Sequence, residues 1–456
     1  MGLWGFGLEG QAALRRLGPT AAAVTVVADA DPDGTLPAPR QGLEVRVGPD
    51  AAQALVACDA VVVSPGIPGT HPVRATLQAA GVELTSVTDL WLRDWADICL
   101  GVTGTKGKST TAALAAHVCA RLGRHADLAG NIGRALFDVD PPQDLVIAEL
   151  GSYQCSTVTR SPRVAVITNL YEDHLTWFGG SREAYWRAKT RIATQGAEVL
   201  VCDAATYERV RTVVPQSQLP HVHVVDPAAP TGRDGALSLT RAAAPRAIAT
   251  HHQWHNATLA LAAVSFLVPD ARLYTQADAL VADFAGLPYR LETVAQTAGA
   301  EWVVDTLSTT AESVAAALDA FPGRRLVLLV GGQDRGIDYR VLSEALLANA
   351  ARLDVVCLPG NGAHIAADFA AVHPERVHGA SGMAQAVDIA WDLVEGRGAA
   401  PATGASPASG AVVLLSPGAP SYDHYRDYRA KAKDFCAHLV RHGVAQVRNH
   451  QEGEGA

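Results

Sequence analysis

The stretch 101-GVTGTKGKSTT-111 is a glycine-punctuated turn that leaves an apolar run and enters a segment of good helix formers. Gly104 and Gly107 let backbone N–H groups converge, and Lys108, Ser109 and Thr110 follow with one cation and two hydroxyls. A loop of this build holds phosphate oxygens on main-chain amides at a helix N-terminus. Its lysine neutralises the β- and γ-phosphates and its serine reaches Mg2+. The expectation is ATP bound through Gly104, Thr105, Lys106, Gly107, Lys108, Ser109 and Thr110, with Ser109 also a magnesium ligand.

Around this loop, short apolar runs alternate with Ala- and Leu-rich amphipathic stretches. The runs are 24-VTVVAD-29, 60-AVVVS-64, 145-LVIAEL-150, 164-VAVITN-169, 198-EVLVCD-203, 326-LVLLVGG-332, 354-DVVCLPG-360 and 411-AVVLLSPG-418. Strand followed by helix, repeated, is the pattern of parallel sheets covered on both faces, so the fold class is α/β. A chain of 456 residues exceeds the roughly 250 to 300 that one core supports. Three domains are expected: 1–92, Rossmann-like; 93–286, a central phosphate-loop ATPase domain with a mostly parallel sheet; and 287–456, again Rossmann-like. The segment 286-GLPYR-290 reads as the hinge before the last of them. Within that last block, 396-GRGAAPATGASPASG-410 reads as a surface loop and the tail beyond Arg448 as frayed.

The net charge of −9 and pI near 6.0 provide no basic footprint for nucleic acid or an anionic membrane. A small soluble substrate fits better. Seven scattered cysteines without any CxxC spacing argue against a zinc ribbon or a disulfide framework and for a reducing cytosol. The opening 1-MGLWGFG-7 lacks a basic n-region, and no apolar run reaches the ~18 residues of a membrane span. A cytoplasmic monomer is expected.

Three further places carry chemistry. Gly5-x-Gly7-x-x-Gly10 suits close approach of a pyrophosphate, with Asp29 or Asp31 as a ribose-binding acid, but three glycines easing a tight turn explain it equally. Glu149 ends the run 145-LVIAEL-150 as a magnesium ligand or a solvated strand-end carboxylate. The run 164-VAVITN-169 leads into Asn169, Glu172, Asp173 and His174, where His174 reads as a metal ligand or orienting group. Lys189 lies in the helical stretch 183-EAYWRAKTRI-192, where Tyr185, Ala188 and Ile192 give an apolar face, and by itself reads as an ordinary helix-surface lysine.

Taken in order and spacing, these motifs resemble the Mur ligase family over essentially the whole chain. The resemblance runs through 104-GTKGKST-110, 130-GNIG-133, 149-ELGSYQ-154, 171-YEDH-174, 185-YWRAK-189, 255-HNATLALAA-263, 287-LPYR-290, Asp305 and 416-SPGAPSYD-423. Val102 stands where the first glycine of a general phosphate loop belongs, and the shorter form is the one Mur and folylpolyglutamate ligases carry. The resemblance implies ATP-driven joining of an amino acid to a UDP-linked muramoyl peptide precursor through an acyl phosphate. Lys108 would stabilise the transferred phosphoryl group, and Ser109, Glu149, His174 and Lys189 would hold two Mg2+ ions, Lys189 as a carbamate. Asn256, Arg290 and Asp305 would bind the nucleotide. Gly7, Leu8, Ser64, Pro65, Gly66 and Asn131 would hold the UDP-linked substrate. Gly151 and Leu259 depart from the family's serine and second asparagine.

The third block would select the amino acid. Thr309, Arg335, Ser421 and Tyr428 match the positions that grip glutamate, so the implied substrates are UDP-N-acetylmuramoyl-L-alanine and glutamate. The usual D-glutamate pattern has two lysines where this chain has Leu307 and Arg335. The reading 305-DTLSTT-310 with 331-GGQDRG-336 is similar to the relatives that add L-glutamate, whose product a separate epimerase inverts. The alternatives are the same ligation with D-glutamate, a folylpolyglutamate synthase-like ligase, and a non-catalytic nucleotide-binding relative.

Overall fold

Runs of Val, Ala, Leu and Ile flanked by glycine turns have little choice but to lie in the middle of sheets, because β-branched side chains pack well on a pleated surface covered on both faces. In the computed structural model, which describes residues 1–31, 34–139, 141–173, 175–395 and 410–448, every run named above forms a strand. The chain divides into two compact units, Met1–Phe284 and a second beginning at Ala285. The expected loop 396–410 lies, apart from Gly410, outside the described residues, as do His174 and the tail beyond Arg448.

The first unit holds two main sheets. One contains β1 (Gly2–Trp4), β2 (Val24–Ala28), β3 (Leu43–Val47), β4 (Ala60–Val63) and β5 (Glu83–Thr85), all parallel, in the order 3-2-1-4-5. The other contains β6 (Cys99–Thr103), β7 (Ala126–Gly130), β8 (Leu145–Glu149), β9 (Val164–Ile167), β10 (Val199–Asp203) and β11 (His221–Val225), also parallel, in the order 11-10-9-6-8-7. A small hairpin, β12 (Thr231–Gly232) and β13 (Gly235–Ala236), follows. Leu3, Val26 and Val62 share one continuous apolar core with Trp91, Val146, Ile167 and Leu200. Each such side chain contributes on the order of 1.5–3 kcal/mol by leaving water. The helix His251–Leu267 closes the other face, burying Ala257, Leu261 and Val264 against Leu114, Val118 and Val166.

The second unit has one mixed sheet, with β14 (Glu292–Gln296) antiparallel to β15 (Ala300–Val304). Parallel neighbours β19 (Ala411–Leu415), β16 (Leu326–Val330), β17 (Leu353–Cys357) and β18 (Val377–Gly379) follow in that spatial order. Trp302 stacks on Trp391 beneath it, ring centroids 5.6 Å apart. At the start of this unit Tyr289 and Leu291 have φ of +62° and +45°, strained for side-chain-bearing residues, on either side of Arg290.

In each sheet one strand lies between two that the chain reaches in opposite directions. Ligands of open α/β sheets bind beyond the carboxyl ends at that switch point. The switch strands are β1 beside β4, β6 between β9 and β8, and β19 between β15 and β16. Among the described residues no helix is long and apolar enough to cross a membrane, and all seven cysteines are free.

Candidate active site

The loop after β6 runs into the helix Lys108–Arg121, whose N-cap Gly107 sits at φ +85° with no side-chain cap. The amides of the first turn are therefore left for an external anion. A Cβ at Gly104 (φ +146°) would collide with Thr168 Oγ1, and one at Gly107 with Asn256 Oδ1, so both positions require glycine. Asn256 thus lies against the phosphate loop itself. Thr105 Oγ1 lies 3.2 Å from the Tyr185 hydroxyl and accepts from the Tyr171 amide at 2.9 Å. Lys106 is exposed, its ammonium 3.3 Å from Asp173, and its amide donates to Asn169 Oδ1 at 2.8 Å. Lys108 Nζ donates to the Thr105 carbonyl at 3.1 Å. Burial lowers its pKa, a shift that Glu149 opposes.

Glu149 is not a solvated carboxylate. It is 1% exposed, accepts from Asn131 Nδ2 at 2.9 Å on Oε1, and leaves Oε2 buried without a partner. An orphaned hard oxygen is costly to bury and fits a divalent cation. Among the described residues, which leave out His174, no three His, Cys, Asp or Glu side chains gather into a metal cluster.

Lys189 departs most from its surface reading, being only 2% exposed. It belongs to the helix Arg182–Thr194, started by Ser181, whose hydroxyl accepts from the Ala184 amide. Lys189 follows Tyr185 by four residues, on the same buried face as Ala188 and Ile192. Nζ donates to the Gly104 carbonyl at 2.7 Å and approaches Thr103 Oγ1 at 3.4 Å. Burial first, and repulsion from Lys108 second, bring its pKa down to about 7.

At the β1/β4 switch point Ser64 Oγ donates to the Gly5 carbonyl at 3.0 Å, joining the loop that leads to Gly7 and Leu8 to the one that leads to Pro65 and Gly66. Leu8 is exposed, and Ser64 and Pro65 line a small cavity with Tyr153, Gln154 and Trp177. Asp31 is spent locally, accepting from the Thr35 amide at 2.8 Å. Two residues here escaped the sequence reading. Gln154 Nε2 donates to Glu9 Oε1 at 2.5 Å while its Oε1 accepts from the Gly151 amide at 2.8 Å. Burial raises Glu9 to about 7, with Oε2 unpartnered. A carboxylate inside a glycine loop was the available signal. A Cβ at Gly151 meets only ordinary contacts, 3.4 Å from Gln154 and 3.6 Å from Asn131, so the family's serine would fit.

In the second unit, backbone bonds tie three loops together at the β19 switch point: Gly418 N to Ser308 O, Gly331 N to Pro417 O, and Gln333 N to Pro420 O, all at 2.8–2.9 Å. They carry Thr309, half-buried, Arg335, exposed, and Ser421, buried with its hydroxyl unpartnered. Tyr428, half-buried, packs 5.4 Å from Tyr289. Arg290 is exposed. Asp305 is buried and accepts from Ser308 Oγ, Ser416 Oγ and the Leu291 amide at 2.6, 2.8 and 3.2 Å. Burial pushes it up to about 6.

A glycine loop feeding an uncapped helix at the switch point of a parallel sheet defines an α/β phosphate-loop protein. Residues 102–234 match the description Mur ligase middle domain, and residues 289–405 match Mur ligase, glutamate ligase domain. The chain is 38% identical over 449 residues to a UDP-N-acetylmuramoyl-L-alanine–L-glutamate ligase of Salinispora tropica, covering 95% of this chain and 96% of that one. A protein of the same description from Micromonospora sp. is 36% identical over 452 residues, 95% of each. The chain belongs to the Mur ligase family. In fold it is similar to a UDP-N-acetylmuramate–alanine ligase of Thermotoga maritima, with TM-score 0.55, 16% identity, and coverage of 98% of this chain and 99% of that one. It is similar also to a folylpolyglutamate synthase of Mycobacterium tuberculosis complexed with ADP, with TM-score 0.54, 18% identity, and coverage of 80% and 95%.

Proposed function

We propose that this protein joins L-glutamate to UDP-N-acetylmuramoyl-L-alanine with cleavage of ATP to ADP, in the cytoplasmic synthesis of peptidoglycan precursors, and acts as a monomer. The observation that carries the reading is the convergence of Lys108, Glu149 and buried Lys189 on one uncapped helix N-terminus. It is supported by relatives of that description matching over nearly the whole chain. Residues 1–92 serve the UDP-linked substrate, 93–286 serve ATP, and 287–456 serve the amino acid.

The backbone amides at Lys108–Thr110 hold phosphate oxygens, and Lys108 neutralises the charge that builds on the transferred phosphoryl group as the substrate carboxylate attacks it. The resulting acyl phosphate is opened by the amine of glutamate, phosphate leaves, and an amide forms. Glu149, Ser109, His174 and carbamylated Lys189 are the residues for two Mg2+ ions, which supply charge neutralisation when bound. The orphaned Glu149 Oε2 suits that role. Asn131, held by Glu149, reaches the muramoyl portion, while Gly7, Leu8, Ser64, Pro65 and Gly66 take the UDP. Asn256, Arg290 and Asp305 serve the nucleotide, and Arg335, Thr309, Ser421 and Tyr428 hold glutamate, the guanidinium gripping one carboxylate bidentately. A separate epimerase then inverts the product. The test is ATP-dependent ligation of UDP-N-acetylmuramoyl-L-alanine with L- and D-glutamate in parallel. Formation of ADP and an L-glutamyl product supports the reading, whereas folate polyglutamylation alone, or no turnover, refutes it.

A further inference from the structure

Glu9 is the second residue of the helix Leu8–Leu17, which opens from the glycine loop at the β1/β4 switch point with N-cap Gly7 and no side-chain cap. Gly7 and Leu8 are exposed, and the uncapped amides of this first turn suit an anion. That is where the reading above seats the diphosphate of the UDP-linked substrate. An acidic residue in a first turn ordinarily stays ionised in water and favours the helix. Glu9 instead turns inward: Oε1 accepts from Gln154 Nε2 at 2.5 Å, and Oε2 is closed off without a partner.

Among the described residues no cation pairs with this carboxyl. Neither β1 nor β4, on which the helix packs, has an ionisable side chain. Arg15 and Arg16 are exposed about two turns along the helix, and Arg15 pairs with Asp138 of the turn Leu136–Val139. On the helix Val87–Trp95, Asp89 pairs with Arg93 and Asp94 is exposed. Beyond β4, Arg74 donates to the Ile67 and Pro68 carbonyls. Burial raises the pKa of Tyr153 and Cys155, on either side of Gln154, so both stay neutral. What acts on Glu9 is burial, which raises its pKa to about 7, and the Gln154 bond, which lowers it. A dianion at the same helix end uses up the positive potential that favoured the carboxylate and adds repulsion of its own. A neutral hydroxyl left unmet at Oε2 costs less than an unmet charged oxygen.

We propose that the UDP-linked substrate is taken only with Glu9 protonated, each molecule bringing one proton from solvent onto Oε2, so that Glu9 sets the upper pH limit of binding. Glu9 acts through its charge and touches no part of the substrate. The proposal rests on the ligase reading and its seat for UDP.

UDP-N-acetylmuramoyl-L-alanine, whose diphosphate is esterified at both ends and does not titrate near neutrality, is titrated calorimetrically into the full-length protein without ATP, from pH 6 to pH 8.5, in two buffers of different ionisation enthalpy. In the wild type Kd should rise about 30-fold across that range, the factor for a free-state pKa of about 7, and nearly one proton should be taken up per molecule bound at pH 8. Glu9→Gln, an uncharged group of the same shape, should abolish both the uptake and the rise, and so bind more tightly than the wild type at pH 8.5. Gln154→Leu removes the bond that favours the carboxylate, so the rise should begin at higher pH; this variant keeps the test decisive if Glu9→Gln misfolds. Saturable binding without proton uptake, a rise that persists in Glu9→Gln, or one that Gln154→Leu leaves in place overturns the proposal and leaves the ligase reading standing. No binding at any pH overturns the seat for UDP and the proposal with it.

Discussion

Replacing Lys189 by methionine removes a buried ammonium while keeping a long unbranched side chain over Tyr185. With a pKa of 10.5, about one lysine in 3,000 is neutral at pH 7; at about 7, half are. The burial therefore raises the concentration of free amine roughly 10³-fold. That amine can attack carbon dioxide, forming the N–C bond and releasing one proton to give an anionic carbamate. The same shift has a thermodynamic signature. The folded-state pKa lies below the unfolded value, so between pH 7 and 10.5 the unfolded chain holds the extra proton and stability climbs with pH through that window. Below pH 7 both states are charged and the burial penalty is present in full, about 5 kcal/mol for a group that is 2% exposed. In buffer freed of carbon dioxide, urea unfolding at pH 6 should show Lys189→Met more stable than wild type by several kcal/mol, with the gap closing by pH 10.5. Adding ¹³C-bicarbonate should produce one carbamate carbon resonance in the wild type and none in Lys189→Met, which should also lack ligase activity. A wild-type Lys189 that titrates near 10.5, with no stability gap and no carbamate, would refute this account of the site.

Lys108→Ala should lower ligation by about 10²–10³-fold or more with the melting temperature little changed, since the half-buried ammonium serves chiefly to neutralise transferred charge; steady-state kinetics and circular dichroism check both halves. Gly107→Ala forces a Cβ into Asn256 at φ +85°, so ATP affinity should fall by more than tenfold in equilibrium titration. Arg335→Lys should erode the preference for L-glutamate in kcat/KM, and Arg335→Ala should raise KM for either enantiomer, because a planar guanidinium and a point ammonium hold a carboxylate along different vectors. Wild-type enzyme that uses D-glutamate and ignores L-glutamate would reverse the stereochemical choice.

The contiguous chemistry was legible without any structure. The phosphate loop is seven successive residues, 104 to 110, so its residue types are read in one contiguous stretch, even though the folded loop is also held by Thr168, Asn169 and Asn256. The alternation of apolar runs likewise stated an α/β fold, because periodicity reports which faces are covered. Lys189 shows where such reading stops. Its spacing of four from Tyr185 already put it on the apolar face, yet lysines are so rarely buried that a charge reads as surface. What buries it is the Gly104 carbonyl, 85 positions away in sequence, meeting Nζ at 2.7 Å. Glu149 reads as either a magnesium ligand or a solvated strand-end carboxylate until Asn131 is seen occupying one oxygen and leaving the other buried without a partner. Glu9 and Gln154, 145 positions apart, meet only because the helix that follows β1 of one sheet comes up against the short helix that follows β8 of the other. The sequence by itself determined the loop, the strand-and-helix rhythm and the family, all set by local steric and hydrogen-bonding rules. Tertiary structure decided which charged groups lost their water, since desolvation depends on what packs over a side chain and not on its neighbours along the chain.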